Sequence, residues 1–333
     1  MKEEVVSFQN IVEASKKIRN FVTRTPTYHS VVFSRRTDAE VYLKLECFQP
    51  VGAFKIRGAF NKICSLSKSE LKKGLVTASS GNHGLSVAYA AKIYGTKAVV
   101  VVPENAVKEK VEAIESYGAE VIKHGKDYEE AYPKALEIRE KTKMTFVHPF
   151  NDPFVIAGQG TIGLELLEDV PDLDTIIVPV GGGGLISGIA VAAKTLKPHI
   201  KIIGIQAEGA PAVYRSWKAG KIVEIDSVKT VADGLVARKP LELTFGIIKR
   251  YVDDILLVTD REIGEAVLAL LRDARILAEP SGATSLAALL FKYHPKPKEK
   301  VALIVSGANI SIDYLTSLLN KQKWKHLVQQ SRS

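Results

Sequence analysis

The chain has 333 residues, 46% apolar and 25% charged, with 46 Lys and Arg against 37 Asp and Glu for a formal charge of +9. At roughly 150 residues per domain this length suggests about two domains, each able to bury a core, so a small stapled module and a disordered chain are excluded. The excess of positive charge raises a polyanion partner, but eight basic and two acidic residues between Leu290 and Ser333 already supply +6, so most of the charge is a terminal feature.

The first segment, MKEEVVSFQNIVEASKK, is amphipathic and has no uninterrupted apolar stretch, which argues against a signal peptide. Cys47 and Cys64 are too few for a zinc site or a disulfide framework and fit a reducing, cytoplasmic setting. Short β-branched runs then recur: VYLKL at 41–45, AVVVV at 98–102, EVI at 120–122, TIIVPV at 175–180, KIIGI at 201–205, DILLV at 254–258 and VALIV at 301–305. Helical spacing fills many of the gaps, as in EKVEAIESYGA (109–119) and REIGEAVLALLRDARI (261–276). Continuous apolar strands alternating with helices predict an open α/β fold of parallel sheets covered on both faces. Two strand series predict two such units, with a site in the cleft where loops leave the carboxyl ends of strands. The uncharged run from Thr175 to Ala193 has the length of a membrane span, but Pro179 and four glycines within it predict strand, loop and helix instead.

Four motifs carry chemistry. In PVGAFKIRGAFNKI (50–63), Lys55 sits between Phe54 and Ile56. An ammonium in apolar surroundings loses hydration, its pKa falls, and the neutral amine can form a Schiff base; a solvated surface lysine is the plainer alternative. In VTASSGNHGLSVAYAAK (76–92), a strand runs into Ser79, Ser80, Gly81, Asn82 and His83 before a helix, which suits a carboxylate or serves equally as N-cap and turn chemistry. In TIIVPVGGGGLISGIAVAAK, a buried strand enters Gly181, Gly182, Gly183 and Gly184 and then a helix. Four glycines make sense where the backbone needs positive φ or must closely approach a ligand, and bare N–H groups at a helix start cradle phosphate; tight strand–helix packing is the alternative. The loop lacks the Lys-Ser/Thr of a nucleotide-triphosphate site, which points to a phosphorylated cofactor. In VALIVSGANI (301–310), Ser306 ends a strand in a turn.

Two competing patterns remain. Gly158, Gly160 and Gly163 in IAGQGTIG form a literal G-x-G-x-x-G, but only the short FVIA precedes them and no acidic ribose partner follows at the required distance, so helix packing is favoured over NAD binding. The basic KQKWKH near the end could bind phosphates but reads as a charged terminal face, so no nucleic-acid partner is expected.

Taken together and in this order, the four motifs resemble the fold type II pyridoxal-phosphate enzymes, specifically the threonine dehydratase and serine racemase branch. The resemblance runs from about Ile11 to Tyr314 and includes VPENAVKEKVEAIESYGAEV, HPFNDPFVIAGQGTIGLE, VADGLVARKP and AEPSGA. It implies two open parallel-sheet domains with a cofactor cleft between them. Residues 1–70 with 151–333 would form a large cofactor-binding domain, and residues 71–150 a small mobile one that closes on the substrate. Lys55 would carry pyridoxal phosphate as a Schiff base and later move the Cα proton. Phe54 would pack beside the cofactor, Asn82 would bond its phenolic oxygen, Gly181 to Gly184 would hold its phosphate, and Ser306 would face its ring nitrogen. Ser79, Ser80, Gly81, Asn82 and His83 would clamp the substrate carboxylate.

The reaction so implied is elimination of water from L-threonine or L-serine, giving 2-oxobutyrate or pyruvate and ammonia. Ser80 matches the residue that acts as acid/base on the second cofactor face in serine racemase, which makes that activity the alternative. Against it, Glu208 and Ala212 match the racemase cation site, but Val213 and Tyr214 bring no carboxylate, and no metal is expected. The chain stops soon after SGAN, so the regulatory domain of long biosynthetic dehydratases is expected to be missing. A homodimer acting on a small amino acid, with no membrane partner, completes the expectation.

Overall fold

The computed structural model describes residues 5–79 and 81–320. Within them the strands are β1 (Thr27–His29), β2 (Glu40–Lys44), β3 (Leu75–Ala78), β4 (Ala98–Val102), β5 (Glu120–Lys123), β6 (Thr145–Phe146), β7 (Thr175–Pro179), β8 (Lys201–Ala207), β9 (Asp254–Val258) and β10 (Lys300–Ile304). They form one sheet of order β1-β2-β10-β7-β8-β9 and a second of order β5-β4-β3-β6. All neighbours run parallel except β1, which lies antiparallel to β2.

The seven runs all become strands; those at the centre of each sheet, such as β4 and β7, are buried along their whole length by sheet and helices on both sides, while the edge strand β5 is only partly covered. Three strands lie outside that pattern: β3, which leads into the 79–83 turn, and β1 and β6, which have three and two residues and lie at sheet edges. Neither β1 nor β6 presents an apolar run, which is why periodicity does not reveal them. The predicted helix at 261–276 forms as Asp260–Ala269, then widens into a π-helical turn at Leu270–Ala274 that closes on Arg275 at φ +63°.

Residues 175–193 resolve into β7, the glycine loop and the helix Gly184–Leu196, and among the described residues no helix is long and apolar enough to cross a membrane. Gly158, Gly160 and Gly163 lie inside the helix Pro153–Asp169, where no strand leads into them. A Cβ on Gly158 would stand 2.5 Å from the Arg57 carbonyl oxygen, one on Gly160 2.8 Å from that of Gly188, and one on Gly188 2.3 Å from that of Ile156. These glycines let the helix Pro153–Asp169 cross the helices Lys55–Cys64 and Gly184–Leu196 backbone to backbone, so the dinucleotide reading is set aside. Of the basic C-terminal stretch, Lys292 pairs with Glu262 at 3.0 Å and Lys300 with Asp172 at 2.5 Å; Lys321, Lys323, Lys325 and Arg332 lie outside the described residues.

A buried charge cluster joins the large sheet to these helices. The fully buried Arg57 guanidinium reaches Glu46 (2.8 Å from both Nε and Nη2), Glu165 (2.6 and 2.9 Å) and Thr161 (3.0 Å). Lys44, at the end of β2 and equally buried, adds 2.7 Å contacts to Glu165 and to the Thr25 carbonyl. The two cations and two carboxylates sum to zero charge. Burial alone would raise the Glu46 carboxyl, but Arg57 outweighs it and holds the group below its ordinary range.

Two outcomes are expected. Gly188→Ala should destabilise the protein by about 1–3 kcal/mol, as overpacking a close crossing does; a melting temperature equal to wild type would show that the helices can part. Arg57→Met leaves the fully buried Glu46 without its hydrogen-bonded counter-charge and should cost about 3–5 kcal/mol in a denaturant titration.

Candidate active site

The parallel register brings four loops to the same place. Leu303 of β10 pairs with Leu43 of β2 on one side and Ile177 of β7 on the other, so the three strands end together. Two residues past their ends come Ser306 from β10 and Gly181 from β7; the chain leaving β2 passes through Glu46–Phe48 and reaches Lys55. From the second sheet, β3 ends at Ala78 and delivers Ser79.

Lys55 opens the helix Lys55–Cys64. The turn before it is stitched to the turn after β10: the Phe54 amide donates to the Ser306 carbonyl (3.0 Å), the Ala308 amide donates to Gly52 (2.8 Å), and Ala53 bridges Gly307. Gly52 needs its φ of +69°, and a Cβ there would meet Asn309 Oδ1 at 2.7 Å. The Lys55 amine donates to the Pro149 carbonyl at 2.9 Å and lies 5.3 Å from the Phe54 ring centre. Desolvation lowers its pKa to about 8, with the Glu279 charge opposing. The Pro149 turn is itself fixed by His148, whose Nδ1 accepts from the amides of Phe150 (3.1 Å) and Asn151 (2.8 Å); burial lowers this imidazole to about 4, so it stays a neutral acceptor.

Phe150 forms the floor of the glycine loop. A Cβ on Gly182 would lie 2.6 Å from its ring and one on Gly184 2.9 Å from its Cα, while a Cβ on Gly181 would come 3.0 Å from the Gly234 carbonyl oxygen. Gly183 has φ +94°. Three positions are therefore closed to side chains by contact and one by conformation. What remains is bare backbone at the start of a thirteen-residue helix, the physical description of an anion cradle.

Opposite stands the turn from β3 into the helix Asn82–Tyr94. Ser79 Oγ accepts from the Gly81 amide at 3.1 Å, and a Cβ on Gly81 would strike Lys110 Cδ at 2.7 Å. Asn82 is held from both ends of its amide: Nδ2 donates to Glu279 Oε1 at 2.6 Å, and Oδ1 accepts from Asn309 Nδ2 at 2.9 Å. His83 donates from Nε2 to the Val147 carbonyl (3.0 Å) and, with burial lowering it to about 3, is neutral. The first-turn amides of a helix have no partner earlier in the helix ladder, which makes such a start a natural place to meet an anion. Ser80, the remaining member of this motif, lies outside the described residues.

Phe54, Lys55, Ser79, Gly81, Asn82, His83, Gly181, Gly182, Gly183, Gly184 and Ser306 all line one cleft holding about 920 Å³ of space, part of it open to solvent. Sequence reasoning missed a buried charge group in the same cleft. Lys110 Nζ lies 2.5 Å from Asp233 Oδ2 and 3.6 Å from Glu279 Oε2. Burial pushes the Glu279 carboxyl up to about 7 against the pull of Lys110. The signal was present: Lys110, Asp233 and Glu279 each fall in a block carrying the family resemblance, but nothing local marks them as more than surface charges.

The comparisons with known proteins agree with this geometry. The chain is 47% identical over 317 residues to an L-threonine ammonia-lyase of Thermotoga maritima, covering 95% of this chain and 79% of that one. It is 41% identical over 315 residues to a catabolic L-threonine dehydratase of Escherichia coli, covering 94% and 96%. The solved structure of maize serine racemase superposes with a TM-score of 0.90 at 40% identity, over 97% of this chain and 99% of that one. With residues 18–307 matching the family as a whole, the chain belongs to the pyridoxal-phosphate dependent enzymes.

Proposed function

We propose that the protein is a pyridoxal-phosphate-dependent threonine and serine dehydratase, eliminating water from L-threonine to give 2-oxobutyrate and ammonia, and from L-serine to give pyruvate and ammonia. The observation that carries this reading is a desolvated lysine amine and a glycine loop closed to side chains in one cleft. These residues fit the cofactor: Lys55 suits its aldehyde, Gly181 to Gly184 its phosphate, Asn82 its phenolic oxygen, Ser306 its ring nitrogen, and Phe54 its flank. When bound, the cofactor supplies an electron sink for the charge left at Cα.

The chain's own groups do the rest. The amides and hydroxyls of the 79–83 turn bind and orient the substrate carboxylate. Lys55, held between its neutral and charged forms near neutral pH, takes the Cα proton. Ser306 would present a neutral hydroxyl to the ring nitrogen, with no formal negative charge to hold a proton there, an electronic setting suited to elimination. Ion pairs from the second sheet to the loop after β8, Lys110 to Asp233 and Asp127 to Arg238, support residues 71–150 as the small domain that closes on 1–70 with 151–333 and excludes water. The free thiols of Cys47 and Cys64 fit a cytoplasmic enzyme, and a homodimer is the assembly proposed for it. Serine racemase is the second reading, favoured by Ser80 and by the likeness to the maize enzyme.

Purified protein should be yellow, and borohydride should fix the cofactor to Lys55; a colourless protein indifferent to Lys55→Ala would overturn the assignment. Because only the neutral amine attacks the aldehyde, cofactor uptake by the apo-protein should accelerate as pH rises through about 8, where a solvated lysine would keep accelerating past pH 10. Ser80→Ala should abolish any D-serine formed from L-serine and spare 2-oxobutyrate production from threonine. Equal loss of both would make Ser80 a binding group.

A further inference from the structure

One polar group in the cleft has no place in the chemistry above. Tyr128 opens the helix Tyr128–Thr142 and lines the cleft together with Val236 and Ala237. Its hydroxyl is closed off from solvent and has no hydrogen-bond partner among the described residues. Buried hydroxyls are ordinarily paired, and an exception lining a ligand cleft marks a partner that arrives with the ligand. Burial pushes the phenol well above its ordinary pKa, so it is a neutral group able to donate and accept.

The surroundings tie this residue to the 79–83 turn through one loop. The residues on either side of Tyr128 grip the loop opposite: Asp127 pairs with the Arg238 guanidinium, and Glu129 Oε1 accepts from the Arg238 amide at 3.1 Å. The other end of that loop, Asp233, is held by Lys110, which also packs under Gly81 of the carboxylate turn. Residues 233–238 therefore run from the carboxylate turn at one end to Tyr128 at the other. The cleft these residues share is thus lined by the 79–83 turn, by the small apolar Val236 and Ala237, and by Tyr128, a path along which the side chain of a small amino acid held by its carboxylate on that turn would run toward the phenol.

We infer that Tyr128 is a specificity-determining residue whose hydroxyl hydrogen-bonds the β-hydroxyl of the substrate, with Val236 and Ala237 accommodating the methyl group of threonine. This rests on the dehydratase reading and names the contact that selects β-hydroxy amino acids within it.

The test is Tyr128→Phe in the holoenzyme, assayed with L-threonine, L-serine and β-chloro-L-alanine, whose chloride leaves without needing a hydrogen bond from a phenol. Loss of the contact should lower kcat/KM for both hydroxy substrates by about tenfold or more and leave the chloro substrate within about twofold. Inhibition by L-2-aminobutyrate, which is threonine without its hydroxyl, should be unchanged. Unaltered threonine and serine turnover would overturn the inference, as would an equal loss on all three substrates or a parallel loss of 2-aminobutyrate binding, since these mark a packing role. A melting curve coincident with wild type is expected, and a collapsed melt with wild-type discrimination among the substrates would count as packing too. Wild-type enzyme inactive on both hydroxy amino acids would instead sink the dehydratase reading, and this inference with it.

Discussion

The position of Lys55 depends on a cluster of charges it never touches. Two residues along the same helix, the fully buried Arg57 is matched by the buried Glu46 and the largely buried Glu165. Those carboxylates come from the turn after β2 and from the helix Pro153–Asp169, so one guanidinium fixes three elements against one another. Ion pairs of this kind add little net stability over a well-packed apolar cluster; their strength lies in the penalty for any arrangement that leaves one member alone. For a catalytic amine that is the useful property. The helix cannot rotate or slide to relieve the desolvation of Lys55 without stranding Arg57, and the amine is held in a setting it would not choose.

The rest of the cleft repeats this division between rigid support and reactive group. His148, kept neutral by burial, fixes the turn that presents Pro149 to the lysine and Phe150 to the glycine loop. Asn82 is gripped at both ends of its amide by Glu279 and Asn309, so its orientation is set before any ligand arrives. Lys110 and Asp233 carry the contact across to the second sheet. Formal charge in the site is thus mostly paired off among protein groups, and the surfaces left to meet anions are backbone amides and the one masked amine.

Most of the architecture was legible in the sequence because long parallel strands leave an unbroken apolar run, as AVVVV and DILLV do, and because a four-glycine loop has few physical excuses. The edge strands β1 and β6 were not legible, being too short to leave a period. Gly158, Gly160 and Gly163 show the opposite hazard: a pattern with the letters of a dinucleotide site served helix crossing, and only its context, a missing strand before it and a missing acidic partner after it, told the two apart. The site's primary groups, Lys55, Asn82, the glycines and Ser306, sit beside punctuation that sequence reading can find. Lys110, Asp233, Glu279 and Tyr128 do not, since their meaning comes from burial and from partners 123 or more positions away for Lys110 and 197 for Glu279. A charged or phenolic residue inside an ordinary helix carries no local mark of such a role.

The two ends of the cleft differ in how they can change. At the glycine loop every position is closed to a side chain, by Phe150, by Gly234 or by a left-handed backbone, so the grip on phosphate is written in main chain and cannot be retuned by replacing one residue. At the far rim Tyr128, Val236 and Ala237 present ordinary side chains that a single substitution can enlarge, shrink or recharge. New substrate ranges in a protein of this design should therefore arise at the rim, with the cofactor end inherited intact.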